Sequence, residues 1–129
     1  MAQADSLFAL ACQQANLTAQ PGKQAMKGAE RDSVELEGKG RWTHSVDLDG
    51  AHAKSEAQSP RWDYGLGLRR QGAAECAVWV EPHPANSTGE VEKMLAKLRW
   101  LQDKLKQPAY AKLAALTQGP VRSVAPHRP

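Results

Sequence analysis

Asp63 and Glu81 are the residues of this chain best placed by type and spacing to do chemistry. Each lies in a stretch that reads as a β-strand, 61–68 and 75–83. In the first, Trp62, Tyr64, Leu66 and Leu68 share one face; in the second, Cys76, Val78 and Val80 do, and the acids lie on the opposite faces. Gln71-Gly72-Ala73-Ala74 between them is short enough for a hairpin loop. A three-residue loop at 71–73 sets Asp63 opposite Glu81, with Cβ atoms about 5 Å apart. A two- or four-residue loop shifts the pairing by one and sends the acids to opposite sides, unless a bulge restores them. Two carboxylates that close repel each other, and a shared proton or a divalent cation such as Mg²⁺ or Mn²⁺ relieves the repulsion. Asp47 or Asp49, from the preceding strand, could supply a third oxygen.

His83 follows Glu81 by two residues and so shares its face. It could ligate a metal, act as a base near neutral pH or touch a phosphate, and it reads equally as a surface histidine at a strand end. Glu75 reads as a solvated residue at a strand start. Gly65 and Gly67 would let a substrate backbone approach the sheet, or mark a twist or bulge.

The remaining elements must position these residues. Residues 4–15 are expected to form a helix with Leu7, Leu10 and Ala11 on one side, and 23–30 a helical turn or two. Residues 33–37 and 42–49 alternate polar and apolar, the period of a half-buried strand. In the latter, His44, Val46 and Leu48 take one face. Residues 50–60 are small and polar and read as an exposed, mobile loop. Ser87-Thr88-Gly89-Glu90 is a capping box. It opens a long helix whose expected buried stripe is Val91, Met94, Leu95, Leu98, Leu101 and Leu105, ended by Gln107-Pro108. Lys93, Lys97, Trp100 and Lys104 fall on one flank of it. A short helix at 110–117, a weak strand at 121–124 and a disordered tail at 125–129 complete the chain. The fold class is α+β: a three- to four-stranded antiparallel meander packed on a long helix, in one domain over 1–129 with an N-terminal helical segment at 1–30 and a core at 33–124.

Composition bounds the class. The chain has 129 residues, 41% hydrophobic and 24% charged, which suits one soluble domain with one core. The net charge of +3 mildly favours anionic partners. The two cysteines, Cys12 and Cys76, form no CxxC or Cys/His cluster, which argues against structural zinc. The apolar run 7–12 is too short for a signal peptide and no run approaches the ~20 residues of a membrane span, so the expected location is the cytoplasm with no membrane partner. The oligomeric state has no sequence signal.

The order helix, strands, helix, strand, with an acid near the start of one central strand and Glu81-Pro82-His83 on the next, resembles the PD-(D/E)XK nuclease superfamily over roughly residues 42–124. The resemblance implies a restriction-endonuclease-like fold and metal-assisted phosphodiester hydrolysis. Asp63 and Glu81 would hold the ion, with Asp47 a further ligand. His83 stands where the family has a lysine; some members carry that lysine on the following helix, where Lys97 or Lys93 could serve. Lys93, Lys97 and Lys104 would then steer a nucleic-acid backbone. Pro60 precedes the acid by three places, not directly. The alternative is the same fold without activity, an interaction module for protein or nucleic acid, using an edge strand or one of Trp42, Trp62, Trp79 and Trp100.

Overall fold

A computed structural model describes residues 6–32, 34–36, 38–82 and 90–117, without the Glu90 side chain. The chain runs α1 (Leu7–Gln14), β1 (Gln20–Pro21), α2 (Gly28–Arg31), β2 (Gly40–Asp47), α3 (Leu48–His52), β3 (Tyr64–Arg70), β4 (Cys76–Val80) and α4 (Glu90–Leu105). A 3-10 turn at Pro108–Tyr110 and α5 (Ala111–Leu116) follow. The strands form one antiparallel sheet in the order β1-β2-β3-β4. The fold is therefore α+β, as the alternation of strand and helix periods predicts.

The hairpin register is the favourable one. Tyr64 pairs with Val80, Gly65 with Trp79 and Leu68 with Cys76, so Gly72, at φ +79°, lies at the tip of the loop. A left-handed backbone there suits glycine, which has no Cβ to clash.

Both faces of this sheet are covered. On one, Phe8, Ala11 and Cys12 of α1, Trp100 and Leu101 of α4 and Leu113 of α5 pack over Val46, Ala77 and Trp79. On the other, Met26 and Val34 pack over Tyr64, Leu66 and Val80. The acids thus lie on the helix-covered face, not on a solvated one. Gly65 and Gly67 serve this packing and leave no space for a substrate backbone. A Cβ on Gly65 would stand 2.5 Å from the Trp79 ring, and one on Gly67 2.7 Å from Phe8 Cβ and 2.8 Å from Glu75 Oε2.

Several expectations are corrected. Residues 34–36 form no strand, because the outer edge of β2 is paired with Gln20–Pro21, and Val34 is used as a buried plug. In α1, Leu7 and Leu10 are exposed while Phe8, Ala11 and Cys12 are buried. Glu75 sets this rotation. Its buried carboxylate accepts from the Leu7 amide at 2.7 Å and from the hydroxyls of Ser6 at 2.6 Å and Thr43. It is an anchor between sheet and helix N-terminus, not a solvated residue. Burial pushes its carboxyl up, but these bonds outweigh that and hold it below the ordinary value.

The segment 50–60 is no loose loop. Asp47 caps α3 by accepting from the Gly50 amide at 2.9 Å, and Glu56 is tied to α4. In α4 the expected stripe rotates: Val91 and Leu95 are 65% and 48% exposed, and Lys97, Trp100, Leu101 and Lys104 turn inward. Charged groups can face inward there because acids meet them. His83, Ser87, Thr88 and Gly89, the strand at 121–124 and the tail at 125–129 lie outside the described residues. Thr117, just beyond α5, forms a parallel bridge to Ala77 of β4.

Gly65→Ala should destabilise the protein by about 1–3 kcal/mol in urea unfolding, because the added methyl overlaps the buried Trp79 ring. Gly28→Ala, whose Cβ meets nothing within 4 Å, serves as control and should change stability by less than about 0.5 kcal/mol. Equal effects at both positions would contradict this packing.

Candidate functional site

Asp63 and Glu81 flank the paired ends of β3 and β4, one step beyond the Tyr64–Val80 pair. The Asp63 backbone is held on both sides. Its amide donates to Glu81 Oε1 at 2.9 Å, and its carbonyl accepts from the Leu48 and Asp49 amides of α3 at 2.9 and 3.2 Å. Lys97, on the inward face of α4, reaches both carboxylates: Nζ lies 3.3 Å from Asp63 Oδ1 and donates to Glu81 Oε2. Two strands and one helix thus bring two carboxylates and one ammonium together.

The electrostatics follow from burial. Glu81 is 3% exposed, whereas the Asp63 and Lys97 side chains are about a quarter exposed, so the cluster opens to water on their side. Removal from water, together with the neighbouring Asp63 charge, raises the Glu81 carboxyl from 4.5 to about 7, although Lys97 pulls the other way. Burial alone would lower Lys97, but the two acids outweigh it and hold its ammonium charged.

The other sequence candidates do not join this cluster. Asp47 pairs across the strands with Tyr64, hence shares the Tyr64 face, and its carboxylate caps α3. It is not a third ligand beside Asp63. Lys97 and Lys104 are turned inward and form no exposed basic flank with Lys93. Lys104 is buried and donates to Glu56 Oε2. Among the described residues no group of three or more His, Cys, Asp and Glu is arranged to hold a metal ion.

A second polar network escaped the sequence reading. Glu56 accepts from Lys104 and from Trp100 Nε1 at 2.9 Å, and His52 Nδ1 lies 3.4 Å from it. His52 Nε2 is 2.5 Å from the Tyr110 hydroxyl. Burial, then Lys104, lowers the His52 pKa, and the Lys104 hydrogen bond chiefly lowers that of Glu56. The His52–Glu56 spacing of four was the available signal, obscured by reading 50–60 as loop. The network fastens the 48–56 segment to α4 two turns from Lys97, and so steadies the helix that carries the ammonium.

The chain matches no protein-family model, no curated protein and no solved structure. Among the described residues no helix is long and apolar enough to cross a membrane.

A raised carboxyl binds its proton more tightly folded than unfolded. Glu81 therefore contributes stability in full below about pH 4.5, and that contribution is lost as pH rises towards 7. Its carboxyl carbon should titrate by NMR with a midpoint near 7. Lys97→Met should push that midpoint upward by about 1–3 units, since an opposite charge is removed. A midpoint near 4.5 in the parent protein would contradict the buried cluster.

Proposed function

We propose that this chain is a divalent-metal-dependent phosphodiesterase of the PD-(D/E)XK nuclease type, acting on nucleic acid. The observation that carries the reading is that Asp63 and Glu81 both reach a single cation, the Lys97 ammonium. A donor set of one or two carboxylates with open positions suits Mg²⁺ or Mn²⁺, which keep several waters. Asp63 and Glu81 would hold the ion, and when bound it would supply Lewis acidity and lower the pKa of a water. Lys97, charged and partly open to solvent, would face the phosphoryl oxygens and offset the negative charge that develops on them. Its origin on the helix fits the family's migrated lysine, which removes the need for His83 in that role. Glu81, titrating near neutrality, could hold or release a proton at Oε2. Two free cysteines suit a reducing compartment such as the cytoplasm.

One observation favours a second reading, a catalytically silent interaction module. Lys97 already bonds both acids, so the triad is also a charge-paired brace between sheet and α4.

With Mg²⁺ or Mn²⁺, the purified chain should cleave single-stranded or duplex DNA. Glu81→Gln and Asp63→Asn should abolish cleavage, and Lys97→Ala should lower kcat by about 10²-fold or more, the usual scale for losing one group that stabilises transition-state charge. Each variant's fold is checked by circular dichroism. Cleavage that survives Glu81→Gln, or none with any divalent ion in the folded parent, would overturn the enzyme reading; the latter favours the module.

A further inference from the structure

A group of exposed cationic side chains lies at the end of the sheet away from Asp63 and Glu81. Arg41 of β2 is paired directly across from Arg69 of β3, and Gly40 from Arg70. With Lys39, these residues and the 71–73 turn line one open cleft of about 590 Å³, whose lining among the described residues includes no acidic and no large apolar side chain. Lys39, Arg41, Arg69 and Arg70 are all exposed. Among the described residues no ion pair is formed by Lys39, Arg41 or Arg69.

Like charges set directly opposite on a sheet destabilise it. This pair therefore has no stabilising role of its own, in contrast to the inward lysines of α4, each of which meets an acid. Among the described residues, neutralisation is what Lys39, Arg41 and Arg69 lack. A sheet end rich in arginine suits phosphate, whose oxygens match the guanidinium fork. A membrane surface is disfavoured because, among the described residues, the cleft lining offers no aromatic or large aliphatic side chain to enter the interface, the usual companion of basic residues there.

We propose that Lys39, Arg41 and Arg69 form a binding site for the phosphodiester backbone of a nucleic acid, separate from the Asp63–Glu81–Lys97 cluster. The choice of polyanion rests on the nuclease reading. Asp63 and Arg69 are six strand residues apart, about 20 Å at the usual rise. That is roughly the axial length of six base pairs at 3.4 Å each. The site would grip a substrate at a distance from the scissile bond and set where along it the acids act.

The test is fluorescence-anisotropy binding of labelled duplex DNA without divalent ions, so that no cleavage enters, over a range of salt. The parent should bind with a salt slope that falls by about 2 in Arg41→Ala/Arg69→Ala, one for each phosphate that is no longer neutralised. Affinity should drop at least tenfold at low salt, while Arg41→Lys/Arg69→Lys should keep most of the slope. The alanine variant should unfold no earlier than the parent, since a repulsion is removed, and this separates impaired binding from impaired folding. No DNA binding by the parent, or an unchanged slope in the alanine variant, overturns the proposal. So does tighter binding to phosphatidylserine vesicles than to DNA, abolished by the same substitution. Because binding is read without metal, a failure of the cleavage chemistry leaves this outcome legible.

Discussion

A carboxylate buried beneath a helix must be paired, and Glu81 imposes that requirement on the structure around it. It accepts from the Asp63 amide and from the Lys97 ammonium, which fixes the β3–β4 ends against α4. Truncating one partner of such a pair leaves an uncompensated buried charge, which typically costs about 3–5 kcal/mol. The inward turn of Lys97 follows from it, and with that turn comes the rotation of the whole helix that exposes Val91 and Leu95. The same demand recurs at Lys104, met by Glu56, and at Glu75, met by Ser6, Thr43 and the start of α1. Three acids contributed by the sheet and its connections thus orient two helices.

This pairing serves stability and candidate function together. A carboxylate made costly to ionise by burial is poised near neutrality, and an ammonium is held charged by two acids at the partly open side. The environment that locks α4 onto the sheet also sets the charge distribution on which the proposed phosphodiester chemistry rests. Asp63 and Lys97, at the more open side, are where a ligand would first be met.

The parts legible in the sequence were those set by local chemistry. Alternation placed the central strands, and the short Gln71–Ala74 connection allowed the register that brings Asp63 beside Glu81. Lys97 came only from the family resemblance, as one of two helix lysines that could serve. What failed did so because long-range pairing overrode local pattern. Leucine spacing alone put Val91 and Leu95 inside α4, since periodicity treats lysine as a surface residue and cannot know that an acid waits beneath it. Glu75 looked solvated because its partners, Ser6 and Leu7, are 69 and 68 residues away. The alternation in 33–37 suggested a strand, yet Gln20–Pro21 takes the edge of β2 at His44 and Ser45. The glycines of β3 suggested space for a ligand, whereas that space belongs to Trp79 and Phe8.

Asp63 and Glu81, with Lys97 beside them, are proposed as one site for a divalent cation. This site is tested most directly by titrating Mn²⁺ into isotope-labelled protein and mapping paramagnetic line broadening by NMR. Broadening should concentrate at Asp63, Glu81 and Lys97 and be abolished by Glu81→Gln. Broadening spread over the surface acids, or unchanged in that variant, would contradict it.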